Sequence, residues 1–204
     1  MLPDSDFTVG VIGPGTGLGA AGLCSRSGSI FPIVGEGGHV GFAPESRVQM
    51  NVLAALRERF DRVSDERLVS GPGLENIYWA LSQLHGEKSA ALTAAEICRL
   101  AAEDGGSRAS EALQLFFEIL GQVAGNLALT LGATSGIYIA GGIARRYPDL
   151  LANSRFRSAF EAKGRRRSLM ERIPTQLILY PEPGLLGAAY CARQIAGKNA
   201  RRGK

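Results

Sequence analysis

The chain has 204 residues, room for one large domain or two small ones. Hydrophobic residues at 45% and charged residues at 21% are globular values, which exclude a disordered chain, and the 27 glycines cluster instead of repeating, which excludes a collagen-like one. The net charge of +4 is a tail effect: Lys198, Arg201, Arg202 and Lys204 crowd the last seven residues, and the remainder balances. A loose basic tail over 198–204 and an exposed turn at Arg165-Arg166-Arg167, with few aromatics nearby, give no case for nucleic acid.

The first forty residues read as strands. Phe7–Ile12, Leu18–Cys24 and Ser29–Val34 are short, β-branched or apolar, and separated by Gly/Ser/Pro turns, as in an antiparallel meander. The middle reads as helical. Glu45–Phe60 carries an apolar stripe at Val48, Val52, Leu53, Leu56 and Phe60. Leu74–Leu84 follows, then Ala94–Ala102, opened by Thr93 with Glu96 three residues on, a capping-box pattern. Ser110–Leu131 is a long helix, apolar on most of its circumference and so expected between layers. The last third alternates: strand Gly136–Ala140, helical sequence, strand Gln176–Tyr180 and a final helix over Leu185–Ile195, which implies parallel strands joined by crossovers. The sum is an α/β fold, a three-stranded meander extended by parallel strands with helices packed on the sheet.

Cys24, Cys98 and Cys191 are widely spaced and form no CxxC pair, so neither a zinc site nor a disulfide framework is indicated. No basic-then-apolar leader and no run of about eighteen apolar residues appears. The chain is expected to be cytoplasmic, with no membrane partner.

Three glycine-rich stretches carry the chemistry. In "GPGTGLG" (Gly13–Gly19), Gly15-x-Gly17-x-x-Ala20 satisfies a loose dinucleotide fingerprint, with Glu36 as a would-be ribose ligand. That fingerprint needs a helix to begin in the loop, and Gly22, Ser25, Ser27, Gly28 and Pro32 break the sequence that follows. No Lys follows the glycines, so a Walker A loop is excluded too. The loop is expected to join two strands, where successive glycine N–H groups form an anion nest and Thr16 adds a hydroxyl. In "GEGGHVGFAP" (Gly35–Pro44), Glu36 and His39 stand three apart beside exposed backbone, the donor and acceptor mixture that sugar hydroxyls need. In "IYIAGGIARR" (137–146), a strand ends in Gly141-Gly142 ahead of a helix, which lets a flat group lie against the backbone at a strand's carboxyl end. "EPGLLGAAY" (182–190) reads as close helix packing.

The order of these stretches resembles the bacterial glucokinases, of the actin-like, ribonuclease-H-like sugar kinase superfamily, over about Val9–Ala196. "SDERLVSGPGLENIY" (Ser64–Tyr78) matches the family as well. The resemblance implies transfer of phosphate from ATP, with Mg2+ on its phosphates, to the 6-hydroxyl of glucose. It places Gly13, Gly15, Thr16 and Gly17 at the phosphates, Gly141 and Gly142 at the adenosine, and Glu36, His39 and Glu66 on glucose hydroxyls. The family's opening Asp-Gly-Gly-Thr loop and its catalytic Asp after Asn are not found here, and Asp6-Phe7 abuts the first strand too closely to serve. Residues 1–197 are therefore expected to be the large domain of such an enzyme, with the catalytic Asp upstream and negligible activity alone. A non-catalytic sugar-binding or regulatory remnant, or a nicotinamide-dependent oxidoreductase, remain as alternatives, and self-association into a homo-oligomer stays open.

Overall fold

A computed structural model describes residues 6–87 and 90–202. One five-stranded sheet runs in the order β3-β2-β1-β4-β5. β1 (Phe7–Pro14), β2 (Leu18–Arg26) and β3 (Ser29–Ile33) form the antiparallel meander, with Phe7 opposite Ser25 and Pro14 opposite Leu18. The β2–β3 turn is Ser27-Gly28, both at positive φ (49° and 75°), the conformation a two-residue hairpin needs. The Asp6 carboxylate accepts the Ser27 N–H at 2.8 Å and holds it there. β4 (Ile137–Ile139) and β5 (Thr175–Leu177) add in parallel to the other side of β1. β5 pairs earlier than the expected 176–180 because β4 ends at Ile139, leaving only the Ile178 N–H to reach the Ile139 carbonyl at 2.8 Å.

α1 (Arg47–Arg57) is capped by Ser46. α2 (Gly71–Leu84) starts three residues before expectation, since Ser70 Oγ accepts the Gly73 N–H at 3.0 Å and Pro72 suits the first turn. α3 (Ala94–Glu103) opens with the expected capping box, Thr93 and Glu96 each bonding the other's backbone. α4 (Arg108–Leu131) lies between the sheet and the other helices, burying Leu113, Phe116, Phe117, Ile119 and Leu120. By length and composition α4 could cross a membrane, a run the sequence reading did not pick out, but its apolar faces are spent inside the fold. Between β4 and β5 come α5 (Gly142–Arg146), α6 (Pro148–Ala152), α7 (Phe156–Glu161) and α8 (Arg167–Met170), short because Pro148 and Gly164 interrupt the chain. Arg165 and Arg166 lie in an exposed 3-10 turn. α9 (Pro183–Arg202) closes the chain. Residues 198–202, expected as a loose basic tail, instead continue α9: no proline or paired glycine interrupts that stretch, and Lys, Arg and Ala favour helix.

The sheet puts two of the glycine-rich loops at one edge. β1 ends at Pro14, β4 ends at Ile139 beside it, and the Ala140 N–H donates to the Ile12 carbonyl at 2.8 Å. The first and third glycine stretches thus emerge side by side at strand ends, where open α/β sheets hold ligands.

Candidate functional site

Gly13–Gly19 is a hairpin turn, as expected. No helix starts at Gly17, which removes the dinucleotide reading and with it the oxidoreductase. Gly15 and Thr16 are exposed and Gly17 is half-buried. The Gly15 N–H donates across the turn to the Gly17 carbonyl at 2.8 Å, and the Gly15 carbonyl accepts from Gly71 N–H at 2.8 Å, which ties the turn to the start of α2. No acceptor among the described residues engages the N–H of Thr16 or Gly17, so these and the Thr16 hydroxyl are the donors the turn offers to an anion. Gly15, read from the sequence as a donor, contributes an open surface instead: a Cβ there would meet nothing within 4 Å.

Glu66 packs against the turn. Its Oε2 accepts the Leu18 N–H at 2.8 Å, and a Cβ on Gly17 would collide with that same oxygen. The Glu66 Oε1 has no donor among the described residues. Glu36 and His39 flank a 3-10 turn, Gly37–His39, that is pressed onto the start of β2. A Cβ on Gly38 would run into the Leu18 carbonyl and lie 2.9 Å from Leu18 Cβ, and one on Gly37 would lie 2.9 Å from Ala20 Cβ. The pair Glu36 Oε2 and His39 Nε2 is 4.0 Å apart, both side chains largely in solvent. The Glu36 and Glu66 segments are stitched together by the Asp65 N–H to Val40 carbonyl bond (2.9 Å) and the Gly41–Ser64 bridge. The segments that carry the three polar side chains named from the sequence therefore pack together beside the start of β2.

Asp65, beside Glu66, is 6% exposed, and burial pushes its carboxyl up to about 7, with Arg62 partly opposing the rise. The sequence reading did not single it out.

On the other side of the turn lies a cleft of about 590 Å³, bounded by Pro14 and Gly15, by Gly71, by Ala94, Ala95 and Cys98 of α3, and by Gly142–Tyr147. Gly141 makes this approach possible. Its φ is +106°, and a Cβ would strike the Pro14 carbonyl. Gly141 itself is half-buried and Gly142 exposed at the cleft wall. The α3 wall and Tyr147 went unnoticed in the sequence because small alanines carry no chemical signal. The start of α3 is tied to α2 by Glu75 Oε1, which accepts the Ala94 N–H at 2.9 Å. Burial pushes the Cys98 thiol up to about 11, against the opposing pull of Arg146, so it stays protonated. No group of three or more His, Cys, Asp or Glu among the described residues converges to cage a metal.

The chain matches the family model described as "Glucokinase" over residues 2–195. It is 45% identical over 184 residues to a glucokinase of Xylella fastidiosa (strain 9a5c), covering 90% of this chain and 54% of that protein. It is 48% identical over 185 residues to one of Zymomonas mobilis, covering 91% and 57%. Among solved structures it is similar to the glucokinase from an Antarctic psychrotroph (TM-score 0.87, 34% identity, 95% of this chain and 60% of that one). The fold alone is shared with a ROK family glucokinase from Streptomyces griseus, solved with glucose and AMPPNP (TM-score 0.61, 20% identity, 93% and 62%). The chain spans about half the length of the curated relatives it matches. With a family model matched from end to end of its sheet and both rims of its glycine turn, the chain belongs to the glucokinase family.

Proposed function

We propose that this chain forms the sugar- and donor-binding part of an ATP-dependent glucokinase, acting in the cytoplasm. One observation carries the reading. A single glycine turn with two unspent amides separates a rim of Glu36, His39 and Glu66 from a nucleotide-sized cleft. A phosphoryl group seated on that turn has the sugar on one side and the donor's remainder on the other, which is the in-line arrangement that transfer needs.

In this reading Glu36 and Glu66 Oε1 accept hydrogen bonds from glucose hydroxyls, and His39 donates or accepts as its tautomer allows. The Thr16 and Gly17 amides and the Thr16 hydroxyl bind the phosphoryl oxygens, with Gly13 shaping the strand end beneath them. Gly141 and Gly142 offer bare backbone to the nucleoside. Magnesium travels on the ATP phosphates and supplies charge neutralisation there. None of the three sugar-binding side chains is assigned the proton of the attacking hydroxyl, a step worth about 10²–10⁴-fold. The chain alone is therefore expected to bind far better than it turns over.

Calorimetric titration of the chain with glucose, beside Glu36→Gln and His39→Ala, tests this. A hydrogen bond to a charged group is worth about 1.5–3 kcal/mol, so Glu36→Gln should weaken binding roughly 10- to 100-fold. Unchanged affinity in both variants, with retained fold, would mean the sugar lies elsewhere.

A further inference from the structure

We infer that the donor cleft recognises a purine by shape and a triphosphate by charge, without reading the base edge, so that guanosine and inosine triphosphates serve as donors alongside ATP. This rests on the reading that the cleft beside Gly15 holds the phosphoryl donor.

Adenine and guanine differ at one edge: adenine shows an amino donor and a ring-nitrogen acceptor, guanine a carbonyl acceptor and N–H donors. Telling them apart requires a fixed protein acceptor opposite a fixed donor. The cleft's side chains do not supply the pair. Among the described residues, no Asp, Glu, Asn, Gln, Ser or Thr lines it. Ala94, Ala95 and Ile143 are apolar, Cys98 is a protonated thiol, and Arg145 and Arg146 donate only. The Tyr147 hydroxyl both gives and accepts, and so adapts to either base.

Three main-chain acceptors beside the cleft already have partners. The Gly141 carbonyl accepts from Arg145 N–H at 3.1 Å, the Ile143 carbonyl from Tyr147 N–H at 3.1 Å, and the Gly15 carbonyl from Gly71 N–H at 2.8 Å. What remains is a cleft of about 590 Å³ lined by the methyls of α3 and by half-buried Ile143 and Tyr147, with two exposed guanidiniums beside them. A guanidinium at that place suits phosphate oxygens and the ring nitrogen that all purines share.

Sites that read an edge by hydrogen bonds reject the wrong partner by about 10⁴–10⁵-fold, whereas apolar slots discriminate by about 10–200-fold. The test is calorimetric titration of the chain with magnesium complexes of ATP, GTP, ITP and inorganic triphosphate, on wild type, Ala95→Trp and Arg145→Ala/Arg146→Ala. Ala95 is exposed, so tryptophan fills the slot from the solvent side without entering the core. Dissociation constants for ATP, GTP and ITP within a hundredfold of one another are expected. Ala95→Trp should weaken all three nucleotides tenfold or more while leaving inorganic triphosphate unchanged, and the double arginine variant should weaken all four ligands by a similar factor. A preference for ATP over GTP greater than a hundredfold overturns the inference while leaving the donor cleft in place. Nucleotide binding that ignores both Ala95→Trp and the arginine change overturns the cleft itself, and so does no nucleotide binding at all.

Discussion

Gly17→Ala is the sharpest probe of the glycine turn, because the structure says what one added methyl would hit. Gly17 is not at positive φ, so alanine meets no backbone strain there. The new Cβ collides with Glu66 Oε2 and lies 3.2 Å from its Cδ. That oxygen is the tip of a flexible side chain, so the collision alone costs little. What is lost is the bond the oxygen makes: Glu66 must swing away, leaving the N–H of the buried residue Leu18 without its acceptor at 2.8 Å. A hydrogen bond to a charged partner contributes about 1.5–3 kcal/mol. For a domain of about this size each kcal/mol moves Tm by about 2–4 °C, so Gly17→Ala should lower Tm by about 3–12 °C. Glu66→Ala removes the same bond from the other end and should cost a similar amount. The decisive measurement is the double-mutant cycle by urea unfolding. In the Glu66→Ala background Gly17→Ala should add almost nothing, a coupling energy near the full 1.5–3 kcal/mol. Additive losses would refute the argument, since the methyl would then be harming the turn by some route other than Glu66.

Gly141→Ala combines φ of +106° with a backbone collision at the Pro14 carbonyl, which no side-chain rotation relieves; a loss of about 3 kcal/mol or more is expected in chemical denaturation, together with loss of nucleotide binding. Gly121→Ala pushes α4 off α7, because its Cβ would strike the Phe156 carbonyl and sit 2.9 Å from that carbonyl's carbon, so overpacking should lower stability by about 1–3 kcal/mol without altering the glucose affinity read by calorimetry. Burial raises the Asp65 carboxyl from its ordinary 3.8 to about 7 in the fold, so the folded chain holds its proton more tightly and stability falls as pH rises from about 4 to about 7, then levels. Asp65→Asn should flatten that slope in urea midpoints taken between pH 4 and 8, gaining at most about 4 kcal/mol above pH 7; an unchanged slope would assign the pH dependence to other groups.

Much of this was legible in the chain. The meander could be read because its turns are punctuated by glycine, serine and proline, and because broken helix signals after Gly22 left a hairpin as the remaining choice. The capping box at Thr93 and Glu96 appeared as written, since it depends on residues three apart. What the sequence hid depends on distant contacts. Gly15 looked like a phosphate donor, but its N–H is consumed by the Gly17 carbonyl, and no spacing rule shows which amides of a turn face inward. The α3 wall of the donor cleft is made of alanines whose only property is smallness. The fragmentation between β4 and β5 followed from Pro148 and Gly164, both visible, but the close approach of α7 to α4 at Gly121 and Gly125 is a tertiary matter that no local pattern shows.

The hairpin origin of the glycine turn has a further consequence for how the site handles charge. A helix N-terminus would present a row of aligned amides and a macrodipole to the phosphates. The hairpin presents two amides and a hydroxyl, on an exposed Thr16 and a half-buried Gly17, where each hydrogen bond contributes only about 1 kcal/mol. Under the proposed function, charge then comes from the guanidiniums of Arg145 and Arg146, which line the cleft, and from a cation carried on the ligand, while the turn acts chiefly by position. Glu36 and His39, which the proposed function gives to the sugar, are likewise open to solvent. Every one of these contacts strengthens when water is excluded from the face they share. The affinity of the exposed site is therefore a lower bound on what the same residues do once that face is covered, and covering should strengthen the sugar and donor sides together, because one turn forms the wall of both.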